Sequence, residues 1–247
     1  SANSYFEKIR TNEAALTAFF SQMPKGGDLH HHYSGSVYAE PILEYAIAEN
    51  FYLNTETMMV SREKLSSENW EQFSTIKSKG ELEQYKQKIM HKWSAKDYNN
   101  VDYPSDKLFF ESFEKFMPAS NENFKSGLLE LKNRAIKENL SYIETQLSTI
   151  PAPINMDDFT KFNSQLRELA AKKDEKAILK LLDTFYKDLV KKDVVAYAKD
   201  FNTNFVAKLH TDLKIDDADF TMRYQNFVLR FMEPNELFKN LVVAFIS

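Results

Sequence analysis

Apolar positions recur along this chain with two periods, one helical and one strand-like. Tyr5, Phe6, Ile9, Leu16, Phe19 and Phe20 fall roughly on one face at helical spacing, which predicts an amphipathic helix over residues 3–22. Met23-Pro24-Lys25-Gly26-Gly27 breaks that pattern. The next stretch, residues 28–33, fits one short buried strand ending at Ser34-Gly35-Ser36. A helix over 38–50 follows, with Ser36 as N-cap and Pro41 in the first turn. Residues 51–105 are polar and mixed, with helical periodicity over 81–93 and a loop over 99–105 closed by Pro104. Residues 106–117 read as an aromatic helix carrying Phe109, Phe110, Phe113 and Phe116, and 121–139 as another helix. Alternation over 140–147 predicts a strand that Pro151 and Pro153 end. Residues 157–209 read as charged helices, 220–231 as a strand, and 236–246 as a final helix after Pro234. Strands separated by helices argue for a parallel α/β arrangement with about three strands.

Composition narrows the class. The chain has 247 residues, 43% of them hydrophobic and 28% charged, with 20 Phe and 12 Tyr, enough to bury a core. No Cys is present, which excludes a disulfide scaffold, a Cys-based zinc finger and a thiol nucleophile. The net charge of −4 does not suit a nucleic-acid binder held by phosphate neutralisation. No apolar run reaches the ~18–20 residues needed to span a bilayer. The chain opens without Met and shows no signal-peptide pattern. A processed N-terminus points to a periplasmic or secreted protein rather than a cytoplasmic one, and a Cys-free composition is compatible with either.

Three of the five His lie at 30–32, and three of the five Gly at 26–35. In a strand, residues two apart share a face, so His30 and His32 project together, ~6.6 Å apart along the chain. That spacing lets two imidazoles converge on one metal ion, while His31 points to the opposite face, toward a helix layer or a supporting hydrogen bond. The plainer reading is a surface His run; its position between apolar segments argues against a tag.

Residues 23–36, Met-Pro-Lys-Gly-Gly-Asp-Leu-His-His-His-Tyr-Ser-Gly-Ser, resemble the first-strand motif of the adenosine deaminase family, MPK-x-x-L-H-x-H-x-x-G. Residues 109–118 look like that family's F-x-x-x-F…MP helix. Residues 138–144 are similar to its second strand, E-G-V-x-Y-x-E, and 220–231 fit its third. The longer spacers and the extra N-terminal helix lean toward the adenosine deaminase-related growth factor branch. The resemblance implies the N-terminal part, strands one to three with their helices, of a (β/α)8 TIM-like metal-dependent hydrolase barrel, with an N-terminal helix extension over 3–22 and an insert over 51–105. It implies Zn2+ held by His30 and His32, a purine nucleoside bound by Ser34, Gly35, Phe109 and Phe113, and hydrolytic deamination of adenosine to inosine and ammonia. Ser34 stands where the family often has an Asp that holds the ribose. No H-A-G-E segment and no T-D-D-P-like segment occurs. No catalytic residue is therefore assigned here, and the chain reads as an N-terminal half that lacks the C-terminal half of the barrel.

Other readings stay open. The chain could be a non-catalytic interaction module of the same descent, or a metal-dependent hydrolase with another substrate. By spacing alone the Phe109/Phe113 pair is plain core packing. His91 and His210 read as ordinary helical histidines, and Glu144 as a structural hydrogen-bond partner. The 51–105 insert is either irregular or a small module that binds a partner or covers the site. The charged stretch over 167–192 is a solvated helix face or the docking surface of a homodimer.

Overall fold

The computed structural model describes residues 1–99 and 103–247. The centre of the loop expected over 99–105, and of that end of the 51–105 insert, lies outside the described residues. The chain divides into two compact units, residues 1–145 with 215–223, and residues 146–214 with 224–247.

The first unit opens with two helices, α1 (Ala2–Ile9) and α2 (Glu13–Gln22), where the periodicity predicts one. Asn12 causes the break: it leaves helical geometry at φ −110°, ψ 104°, and its side-chain oxygen accepts from the Ala15 N–H at 3.0 Å. A short polar side chain that caps the next helix competes with continuing the first one. The apolar positions therefore form two facing stripes, with the Phe6 ring 6.0 Å from Phe19 and 6.1 Å from Phe20.

Strand β1 (Gly26–His32) follows, entered through Gly26 at φ 74°, a conformation that glycine adopts without strain. The strand ends at His32, and Tyr33–Ser36, where the sequence places the strand's end, coils into a single turn, α3, before α4 (Ala39–Ala48). Ser36 does not cap α4; its hydroxyl donates to the Tyr33 carbonyl at 3.0 Å, and Tyr38 occupies the cap position with no side-chain bond. Pro41 does lie in the first turn of α4, as expected.

The described part of the 51–105 stretch is not irregular. It holds a small antiparallel sheet, β2 (Tyr52–Asn54), β3 (Val60–Ser61) and β4 (Trp70–Gln72) in the order β3-β2-β4, then α5 (Phe73–Ser78) and α6 (Leu82–Trp93). Leu53, Val60, Trp70, Ile76 and Ile89 are all buried, so the insert contributes its own piece of core. Strands of two or three residues are too short to show a period, which is why the sequence reads as featureless there. The indole N–H of Trp93 donates to the Met58 carbonyl at 2.8 Å and ties the end of α6 back to this sheet.

Helices α7 (Ser105–Ser120) and α8 (Phe124–Lys137) come next, then β5 (Leu140–Gln146). Pro118 sits inside α7, in its last turn. Asn139, in the left-handed region at φ 58°, stops α8 and turns the chain into β5. The third strand of this sheet, β6 (Thr221–Gln225), is shorter than the sequence reading, ending at Gln225 rather than 231. The sheet is parallel in the order β1-β5-β6, with β5 central. The mixed α/β class with helices between parallel strands stands; three open strands are described, and closure into a barrel is not shown.

The second unit is helical: α9 (Thr160–Ala171), α10 (Glu175–Lys191), α11 (Val194–Asp200), a π-helical stretch Phe201–Ala207, α12 (Lys208–Asp212) and α13 (Pro234–Ile246). Left-handed Lys173 and Asp193 separate α9, α10 and α11. An aromatic cluster forms the core, with the Phe185 ring 4.3 Å from Phe162 and 5.4 Å from Phe238. The charged stretch expected over 167–192 contains exposed ion pairs one turn apart, among them Lys172–Glu168 and Lys187–Asp183, as a solvated helix face does. Among the described residues, no helix is long and apolar enough to cross a membrane.

Among the glycines of the first unit, the closest fit is at Gly127 on α8. A Cβ there would stand 2.0 Å from the hydroxyl of the buried Tyr33. Gly127→Ala should therefore lower stability by about 1–3 kcal/mol through overpacking, even though alanine favours a helix interior by ~1 kcal/mol. Urea unfolding of the variant beside the parent checks the sign.

Candidate functional site

Period-two geometry of β1 determines where its histidines go. His30 and His32 are exposed on one face, and their Nε2 atoms approach to 2.9 Å with ring centroids 4.8 Å apart. One ring can donate its N–H and the other accept it, so the pair is self-satisfied when each imidazole is neutral. The same two nitrogens also converge as metal ligands do: two imidazoles bound at ~2.0–2.1 Å around a tetrahedral ion stand about 3.3 Å apart, a few tenths of an ångström wider. The aspartate two residues earlier shapes the strand here, its Oδ1 accepting from the His30 backbone N–H at 3.1 Å.

His31 projects to the other face. Its Nδ1 lies 3.0 Å from the hydroxyl of the buried Thr145 on β5. Burial pushes the imidazole pKa down; Asp28 opposes this, while Arg134 and His32 reinforce it. Arg134 belongs to a group around the end of β1. Its guanidinium donates to the Ser36 carbonyl at 2.6 Å, pairs with Glu130 at 2.8 Å and stacks on the Tyr38 ring at 4.3 Å. Burial raises the Glu130 carboxyl pKa, which Arg134 opposes.

The aromatic residues assigned to substrate gather elsewhere in the same unit. A cavity of about 220 Å³ is lined by Gly35, Phe109 and Phe113, together with Tyr38, Trp93 and Phe116. Phe109 and Phe113 meet edge to face with centroids 5.1 Å apart, and a Cβ on Gly35 would lie 3.4 Å from the Phe113 ring. Phe109 is 53% exposed, and Phe113 is half-buried. Ser34 is half-buried and does not line this cavity, and neither do His30 and His32. Gly35, Phe109 and Phe113 are thus brought together, the His pair is formed separately, and Ser34 joins neither group.

The remaining titratable candidates behave as ordinary side chains. Glu144 accepts from the Tyr142 hydroxyl at 2.8 Å, a structural bond within β5. His91 is exposed on α6, and His210 contacts the Tyr224 hydroxyl at 3.2 Å. The sequence reading missed Tyr38 and Trp93 as cavity walls. The only local signal for Trp93 is an aromatic residue ending a periodic helix, which says nothing of what it packs against.

The donor set also bears on zinc. The two imidazoles fit as part of a zinc shell, but a catalytic zinc takes three or more protein ligands. Among the described residues no group of three or more His, Cys, Asp or Glu side chains is arranged to hold a metal ion. Comparison with protein-family models, curated proteins and solved structures finds no match to this chain.

The His31–Thr145 contact links β1 to the central strand. Thr145→Val should cost about 1 kcal/mol by removing a hydrogen bond of ordinary strength, and Thr145→Ser should recover most of it. Chemical denaturation of both variants at neutral pH measures the difference.

Proposed function

We propose that this chain is part of a zinc-dependent nucleoside deaminase that converts adenosine or a related aminopurine nucleoside to inosine and ammonia. The observation that carries the reading is the 2.9 Å convergence of the His30 and His32 Nε2 atoms on the exposed face of β1. The motif likenesses around residues 23–36, 109–118 and 138–144 support it, as does the order β1-β5-β6 of parallel strands, which is how the first three strands of a (β/α)8 barrel follow one another. The barrel, with its further strands, is part of this proposal.

His30 and His32 would hold the metal, which when bound supplies Lewis-acid activation of water. Neutral imidazoles are required for that, and both His30 and His32 stand on β1 rather than on a loop, with their Nε2 atoms facing each other. His31 acts from behind: its bond to Thr145 fixes the side-to-side rotation of β1 and hence the direction in which its neighbours project. Gly35 leaves room for the Phe113 ring, and Phe109 and Phe113 would form an apolar cover that excludes water from a bound base. Ser34, neutral and short, would give the ribose at most a hydroxyl contact. A third metal donor and the proton-transfer groups are not assigned to any residue of this chain. The purine nucleoside as partner, a homodimer, and an extracytoplasmic location belong to the same reading.

Two measurements test it. Zinc titration should show binding that His30→Ala and His32→Ala each weaken by at least about tenfold, since removing a ligand forfeits a metal bond. If the parent protein takes up no zinc and both variants behave like it, the pair is a proton-sharing couple and the metal assignment is wrong. Inosine formation from adenosine by the zinc-loaded protein then tests the substrate, separately from the metal.

A further inference from the structure

A second cavity of the first unit, about 650 Å³, is lined among others by His91, Lys92 and Lys96 from the end of α6 onward and by Glu111, Glu114 and Lys115 of α7. The carboxylates and amines of this wall are unevenly matched. Glu111 is engaged with the Tyr103 hydroxyl and with Lys107 at 3.7 Å, and Lys96 reaches Glu40 at 3.5 Å. Lys115 has no carboxylate within ion-pair reach among the described residues; its Nζ donates instead to the Glu111 backbone carbonyl at 2.8 Å. Lys92 likewise forms no ion pair among the described residues. Lys115 is half-buried, so its ammonium form is less hydrated than that of an exposed lysine and has no carboxylate partner among the described residues.

We propose that Lys115 is a nucleophilic amine site, taking a small carbonyl compound that carries an anionic group and forming an imine within this cavity. Burial pushes the Lys115 pKa down; Glu111 and Glu114 oppose this and the neighbouring Lys92 reinforces it. A lysine desolvated beside a second cation is a recognised way to free the amine at neutral pH. The amine lone pair attacks the carbonyl carbon as the C=O π bond opens onto oxygen. The nitrogen gives up its two protons, the oxygen leaves as water, and a C=N bond remains. Lys92, unpaired on the same wall, supplies the counter-charge for the anionic group. This site is independent of the His30/His32 pair and of the deaminase reading.

The test uses pyridoxal 5′-phosphate as an anionic carbonyl probe, borohydride to trap the imine, and peptide mass spectrometry to locate it. Near pH 7.5 Lys115 should label at least about threefold faster than exposed Lys64, because desolvation and a cationic neighbour enrich the free amine. The rate at Lys115 should saturate with probe concentration. Lys92→Gln should lower both rate and saturation, and Lys115→Arg should abolish the fast phase with the circular dichroism spectrum unchanged. Formaldehyde, which lacks the anionic group, should still prefer Lys115 but without saturation. Labelling of Lys115 no faster than Lys64 with either reagent, or a rate with pyridoxal phosphate that stays linear in concentration, overturns the proposal.

Discussion

Burial of Tyr33 at the end of β1 is the constraint on which the candidate site depends. Its hydroxyl donates to the Asn123 carbonyl at 2.9 Å, its ring lies 5.1 Å from Phe124, and Gly127 leaves the space that the hydroxyl fills. A buried hydroxyl without a partner would be costly, so the bond to Asn123 fixes Tyr33 to the start of α8. That anchor sets the point at which β1 stops and the chain coils into α3. It thereby places His30 and His32 on the last turns of the strand's pleat, with His31 directed at Thr145. Burial drives the Tyr33 hydroxyl pKa up, with Glu130 adding to it, so this group stays a neutral donor throughout the physiological range.

Around that anchor the first unit divides chemical roles between two faces. One face of β1 presents two imidazoles to solvent; the other carries a histidine held neutral by burial and a threonine on the neighbouring strand. Arg134 joins the two halves of the arrangement, since it binds the Ser36 carbonyl beyond β1 while pairing with Glu130 on its own helix. Both bonds are charge-assisted, which makes them stronger and more directional than neutral ones. Exposed pairs elsewhere on the surface add little stability.

The aromatic content has a similar logic. Phe109, Phe113 and Phe116 recur along one side of α7, and the structure puts them to different uses: Phe116 is buried 6.0 Å from Trp93, while Phe109 borders an open cavity. Periodicity identifies the face but not how deeply each position is covered. That depends on Tyr38, at the N-cap of α4, and on Trp93, at the end of α6, which come from distant parts of the chain. The 51–105 segment thus contributes Trp93 to the candidate site, a place that its own sequence does not announce.

Side-chain spacing along the chain specifies only local features. The period-two placement of the histidines, the helices over α6, α7, α8 and α13, the strand at β5 and the parallel α/β class all follow from side-chain spacing, because each is set by neighbours within a turn or a pleat. Tertiary structure decided the rest. Asn12 split one apparent helix in two and Ser36 turned from cap to turn-former, each through a local hydrogen bond, and β6 ended at Gln225. The small sheet of the insert was illegible because strands of two or three residues draw their stability from cross-strand partners. The separation of Ser34 from Gly35, Phe109 and Phe113 was illegible for the same reason: which side chains share a cavity is a matter of long-range packing, and no spacing along the chain encodes it.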